Sequence, residues 1–227
     1  MNNTPQLIDA QIQRIETLAP SILRVFLQPK EYIPYEAGQY LEILHSPTEP
    51  LFYSIANAPI TDTPYELHIY THSTMPLLRI LHLNEILHLR LPFGQCTVNA
   101  LRQDRPLILI AGGTGFAPMK AIIEDIYKTN RTRSITLLWS CKTAQRLYLH
   151  TEMQQLAHIC PSFQYIPCIT SHFSLEAMLK QHVKSLQLQK AEIILAGPFE
   201  MVYAVRDELL QHGVQQEQLH ADAFTLT

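Results

Sequence analysis

Short apolar runs separated by turn residues fill the first hundred positions of the chain. IQRIE (12–16), ILRVFLQ (22–28), QYLEIL (39–44), LFYSIA (51–56), ELHIY (66–70) and ILHLRL (86–91) each alternate with period two or are rich in β-branched and aromatic residues. Pro20, Pro29, Pro34, Gly38, Pro47, Pro50, Pro59, Pro64 and Gly94 lie between or beside them. Successive side chains of a strand point to opposite faces, so runs of this kind bury one face and wet the other. The pattern predicts an antiparallel β-barrel or sandwich. One helical interruption is expected over Pro76 to Leu83, where Ser73 or Thr74 can cap the first amides and Pro76 fits the first turn.

From about residue 106 the rhythm changes. PLILIA is a continuous apolar run, as a strand buried on both faces requires, and APMKAIIEDIYK follows with helical spacing. SITLLW then precedes YLHTEMQQLAH, FQYIPCI precedes SLEAMLKQHV, AEIILA precedes FEMVYAVRDELLQ, and LHADAF closes the chain. Five strands with intervening helices predict a doubly wound α/β domain with a five-stranded parallel sheet, its ligands at the carboxyl ends of the strands. The expected division is a barrel over 1–101 and an α/β domain over 102–227, with the boundary in LRQDRP.

Composition narrows the class. The 227 residues suit two domains of about 100 residues each. With 47% hydrophobic and 16% charged residues, the chain has enough apolar surface to bury a core. A formal charge of -3 without a basic block argues against a nucleic-acid partner. No apolar run approaches the ~18 residues of a membrane span, and no basic segment precedes an apolar one at the start, so a cytoplasmic protein with no membrane partner is expected. Cys96, Cys141, Cys160 and Cys168 form neither a C-x-x-C pair, nor a zinc array, nor the plant-type iron–sulfur run, and no metal is expected. The eleven histidines are scattered, and the pair His68 and His72 falls in a strand-like stretch rather than on a helix.

Three of the seven glycines, Gly112, Gly113 and Gly115, cluster in ILIAGGTGFAP (108–118) between a buried strand and a helix. Bare backbone lets a ligand approach closely, Pro118 suits the first helical turn, and free amides at a helix start attract anions. A pyrophosphate is the natural occupant. The next strand ends in WSCKT, with no acidic residue to hold a ribose 2'-hydroxyl. Ser140, Lys142 and Arg146 stand there instead, which admits NADPH as well as NADH. A second strand end, AEIILA into Gly197, Pro198, Phe199, Glu200 and Met201, completes a groove for a nicotinamide nucleotide.

Across essentially its whole length the chain resembles the ferredoxin:NADP reductase superfamily, and within it the bacterial NAD(P)H:flavin oxidoreductases. The residues that carry the resemblance are EAGQYLEI (36–43), FYSIANAP (52–59), ELHIY (66–70), LPFG (91–94), LILIAGGTGFAP (107–118), LY (147–148), AGPFEM (196–201) and DAF (222–224). The resemblance implies a flavin-binding barrel, an NAD(P)H-binding α/β domain and hydride passage between them. It implies that Phe52, Tyr53, Ser54 and Ile55 hold the flavin ring (FMN, riboflavin or FAD), with Ser54 near the atom that receives hydride. It implies that His68, Ile69 and Tyr70 line the flavin edge, that Thr114 faces nicotinamide and flavin, and that Phe224 covers the site. The catalytic pair is then Ser54 and Thr114. Gly112, Gly113, Gly115, Pro118, Ser140, Lys142, Gly197, Pro198 and Met201 hold the nucleotide.

Two departures bear on flavin affinity. Leu51 stands where the family's phosphate-binding Arg belongs, and HSTMPLL (72–78) lacks the glycine of tight flavin binders, which leaves Arg79 as the nearby cation. A weakly held flavin that leaves as product is therefore expected, with iron, oxygen or a monooxygenase as downstream acceptor. The alternatives are an FAD-containing, ferredoxin reductase-like electron-transfer protein serving a protein partner, and a non-catalytic binding module that keeps the fold.

Overall fold

The computed structural model describes residues 4–45, 51–72, 81–129, 133–170 and 186–225. Six strands form the first sheet: β1 (Gln6–Ala19), β2 (Ile22–Pro29), β3 (Tyr40–Ile43), β4 (Leu51–Ser54), β5 (Tyr65–Tyr70) and β6 (Ile86–Phe93). Their order is β4-β3-β6-β1-β2-β5. Every pairing in it is antiparallel, from Tyr40 opposite Ser54 at one edge to Leu23 opposite Ile69 at the other. An antiparallel bridge between Ile55 and Leu67, and the Ala56 amide donating to the Glu66 carbonyl at 2.7 Å, join the two edges and close the barrel. Closure removes the unpaired edges that an open sheet exposes.

The alternating positions fill the barrel. Ile8, Ala10 and Ile12 of β1, Tyr65, Leu67 and Ile69 of β5, and Leu87, Leu89 and Leu91 of β6 share one cluster. Each large aliphatic side chain so buried contributes about 1.5 to 3 kcal/mol. Tyr65 keeps its polar end satisfied inside this core: its hydroxyl accepts from the Ile33 amide at 2.9 Å and donates to the Ile33 carbonyl at 3.0 Å.

The second sheet is parallel throughout: β7 (Leu107–Gly112), β8 (Ile135–Cys141), β9 (Phe163–Ile169), β10 (Glu192–Ala196) and β11 (Leu219–His220), in the order β11-β10-β7-β8-β9. The chain starts in the middle at β7, winds outward through β8 and β9, and returns to the other side of β7 with β10. Helices α1 (Phe116–Thr129), α2 (His150–Ile159) and α3 (Phe199–Gln211) cover it. Leu107, Leu109 and Ala111 pack with α1 on one face, while Ile108 and Ile110 pack with Val202, Val205 and Leu209 of α3 on the other. Burial on both faces explains why PLILIA reads as a continuous apolar run. The direction reversal between β7 and β10 leaves a crevice at their carboxyl ends, where open α/β sheets bind ligands.

The expected helix over Pro76 to Leu83 lies outside the described residues except for Leu81, His82 and Leu83, which belong to no regular element. SLEAMLKQHV, Arg79 and all of HSTMPLL but His72 also lie outside them. Among the described residues, no helix is long and apolar enough to cross a membrane.

Candidate active site

The glycine cluster ends β7 and starts α1 through a single 3-10 turn, Gly113–Gly115. Its three glycines serve different purposes. Gly113 has φ +55°, and a Cβ there would meet nothing within 4 Å, so this is the bare backbone that faces open space. A Cβ on Gly115 would land on the Ala196 carbonyl, and one on Gly112 on the Met201 sulfur. Those two are small so that the ends of β7 and β10 can abut. All three line the same cavity, Gly113 with open space at its Cβ position and Gly112 and Gly115 with the further constraint of strand-end packing.

Trp139 of β8, fully buried, fixes this turn from beneath. Its indole Nε1 donates to the Gly113 carbonyl at 3.0 Å, and its ring stacks on Phe116, the first residue of α1, at 3.8 Å between centroids. At the end of β10, Gly197 has φ +149°, and Pro198 leads directly into α3.

One cavity of about 740 Å³ runs from these strand ends to the barrel. Its α/β wall is Gly112, Gly113, Thr114 and Gly115, faced by Gly197, Pro198 and Met201. Its barrel wall is Phe52, Tyr53 and Ser54 of β4 with His68 and Tyr70 of β5. Ser140, Lys142 and Arg146 line it as well. The sequence-selected groups from both halves therefore meet in one space. Phe52 is half exposed, while Tyr53 packs on the barrel core and its phenol is pushed up to about 12 by burial, so it stays protonated.

The remaining expected residues lie elsewhere. Ile55 and Ile69 are fully buried in the barrel core, so their side chains offer a ligand nothing. Pro118 lines a second cavity of about 360 Å³, which shares Phe52, Ser54, Ala196 and Gly197 with the first and also contains Asp222. Burial holds the Asp222 carboxyl above its ordinary range, against the Gln95 amide that donates to it at 3.1 Å. Phe224 packs on Tyr203 of α3 and lines neither cavity. The Ser140 hydroxyl donates to the Ala111 carbonyl at 3.1 Å, which ties β8 to β7 and leaves the cationic role to Lys142 and Arg146. The Arg146 guanidinium lies 5.3 Å over the Tyr70 ring, a contact between the α/β half and the barrel.

His68 has a different setting from the expected flavin edge alone. It is buried, with Nε2 2.8 Å from Glu66 and Nδ1 3.0 Å from the Tyr148 hydroxyl. Burial lowers its pKa even beside Glu66, so the ring is neutral. Burial also opposes ionisation of Glu66, but the His68 hydrogen bond, the Lys120 charge and the Arg24 hydrogen bond outweigh it and bring the carboxyl down to about 2. An ionised Glu66 only accepts, so Nε2–H donates to it and Nδ1 accepts from Tyr148. Glu66 also receives Arg24 Nε at 2.8 Å and Lys120 Nζ at 3.0 Å. Glu66, Lys120, Trp139 and the role of Tyr148 escape the sequence reading. The available signal is a lysine in the apolar stretch FAPMKAII, which has to find a partner wherever it is buried. Among the described residues, no cluster of side chains could hold a metal ion.

The model of the oxidoreductase NAD-binding domain matches residues 109–207. Over 220 residues the chain is 33% identical to the reductase component 2 of terephthalate 1,2-dioxygenase from Comamonas, covering 90% of this chain and 63% of that protein. It thus spans less than two thirds of that relative's length. It is 28% identical to the NAD(P)H-flavin reductase of Vibrio harveyi, which it matches over 96% of itself and 98% of the relative. Among solved structures, an Amycolatopsis cytochrome P450 reductase superposes with TM-score 0.85 at 22% identity, covering 98% of this chain and 71% of the other. A ferredoxin NADP+ reductase from Neisseria gonorrhoeae superposes with TM-score 0.79 at 18% identity, over 95% and 97%.

Proposed function

We propose, from a chain that has the fold of the ferredoxin reductases and carries an oxidoreductase NAD-binding domain, that it is an NAD(P)H:flavin oxidoreductase. In this reading it passes hydride from NADH or NADPH to a weakly held flavin and releases the reduced flavin to iron, oxygen or a partner monooxygenase. The barrel (1–101) takes the flavin and the α/β half (102–227) the nucleotide. The observation that carries the reading is the cavity of about 740 Å³ walled by Gly113, Thr114 and Gly197 on one side and by Phe52, Tyr53 and Ser54 on the other. The similarity over nearly the full length of the Vibrio harveyi flavin reductase supports it. In this reading the protein works in the cytoplasm, a setting that suits cysteines held outside any disulfide.

The cavity fits such ligands. Its volume is within the range of sites that enclose a small organic molecule. Gly113 leaves open space beside the start of α1, where backbone amides favour a phosphate. When bound, the nicotinamide supplies the hydride and the flavin ring accepts it, and the protein contributes placement. Gly113 and the α1 start hold the nucleotide's pyrophosphate, with Trp139 fixing the turn. Lys142 and Arg146 receive a 2'-phosphate where one is present. Ser54 offers a hydroxyl to the reacting edge of the flavin, and Thr114 faces it from the glycine turn. Met201 and the surrounding apolar wall exclude water, which would otherwise compete for the polar contacts. Ser54→Ala is expected to lower turnover with a smaller loss of flavin affinity. Unchanged turnover would remove Ser54 from the mechanism.

The similarity to the terephthalate dioxygenase reductase favours a second reading, a reductase that keeps FAD and serves a protein partner. A yellow protein retaining flavin through gel filtration would support that reading, and a colourless one the first.

A further inference from the structure

The cavity has two walls from different halves of the chain, and α1 is an element that reaches both. Its first residue, Phe116, follows the glycine turn directly. One turn further on, the Lys120 ammonium, only 8% exposed, donates to the Ala56 carbonyl at 3.1 Å, two residues beyond Ser54. It also pairs with Glu66 at 3.0 Å and with Glu124, the next residue on the same helix face, at 2.7 Å. The second oxygen of Glu124 accepts from the Ala58 amide at 3.0 Å. Two side chains of one helix therefore grip the carbonyl and the amide of the segment that leaves the flavin-site strand.

That segment is fastened on its barrel side as well. The Asn57 side chain accepts from the Glu66 amide at 2.9 Å, and the Tyr35 hydroxyl reaches the carbonyls of Asn57 and Ala58 at 3.0 and 3.1 Å. A helix is stiff over two turns, so movement of the glycine turn and of Ser54 relative to each other is resisted at Lys120 and Glu124. A buried ion pair is weak support for stability, because desolvation offsets much of the Coulomb gain, and this makes a positional role the more economical account.

We infer that Lys120 and Glu124 are positioning residues that set the spacing between the nucleotide wall and the flavin wall of the cavity. The inference rests on the flavin reductase reading and adds to it the device that fixes the distance hydride must travel. Misplacement of reacting groups by about 1 Å costs on the order of 100-fold in rate without a matching loss of binding.

The test compares Glu124→Ala and the charge-neutral pair Lys120→Met/Glu66→Gln with the unaltered chain. It measures single-turnover hydride transfer, flavin and nucleotide dissociation constants and Tm. Glu124 is 42% exposed at its side chain, so its removal spares the core. The expected result is hydride transfer slowed on the order of 10-fold to 100-fold in the double variant and less in Glu124→Ala, with both dissociation constants changed by less than about 3-fold. Lys120→Met alone is expected to lower Tm more than the pair does, while the pair stays slow. Hydride transfer in the double variant at the unaltered rate, or a rate that recovers together with Tm, overturns the inference. An unaltered chain that oxidises neither NADH nor NADPH with any flavin overturns the function reading and the inference with it.

Discussion

The Trp139 indole donates to the Gly113 carbonyl across 3.0 Å, and so a fully buried ring on the second strand of the parallel sheet holds the glycine of the strand-end cluster that faces open space. Trp139→Phe keeps the stack on Phe116 and loses the donor. A neutral hydrogen bond contributes about 1 kcal/mol, so kcat/KM for the nucleotide is expected to fall about 5-fold while the flavin dissociation constant holds. Steady-state kinetics varying each substrate in turn checks this.

Leu51 lies at the start of β4 and packs partly against the barrel core, where the family resemblance places a phosphate-binding Arg. Leu51→Arg is expected to tighten FMN and FAD about 10-fold and leave riboflavin unchanged, because only the first two carry a phosphate for a charge-assisted bond. Fluorescence titration of the three flavins reads the difference.

Among the described residues, Lys142 and Arg146 are the cations that line the cavity. Lys142→Ala is expected to lower kcat/KM for NADPH about 10-fold and to leave NADH within about 2-fold, since only NADPH offers a 2'-phosphate to a cation. Equal loss with both nucleotides would place Lys142 on a phosphate they share.

Glu66 titrates at about 2 in the folded chain, below its ordinary 4.5. A depressed folded pKa means that the unfolded chain binds the proton more readily, so this contribution is fully present above pH 4.5 and is lost as the pH falls toward 2. Acid denaturation of the unaltered chain is expected to steepen across that window. Glu66→Gln, which cannot ionise, is expected to show a flatter stability profile there, as followed by urea unfolding at a series of pH values.

The two-part architecture was legible because periodicity is local. ELHIY and ILHLRL alternate, PLILIA does not, and each pattern reports how many faces its strand buries. β1 runs from Gln6 to Ala19, well beyond IQRIE, because Ile8, Ala10 and Ile12 alternate into the core; the exposed Leu7 beside Ile8 hides that alternation in the sequence. The cavity's lining was legible where a motif faces it, as with Phe52 to Ser54 and Gly112 to Gly115. It was illegible where the partner is remote in sequence. Gly115 is small for Ala196 and Gly112 for Met201, each more than 80 positions away, and Lys120 finds Glu66 across 54. A motif records that a residue is constrained, and only the packing says by what.

The central claim is tested most directly by steady-state oxidation of NADH and of NADPH, each with riboflavin, FMN and FAD, on protein freed of flavin by gel filtration. The account predicts no oxidation without added flavin and a rate that saturates as flavin is raised, as for a second substrate. Flavin that stays with the protein and a rate independent of added flavin would contradict it.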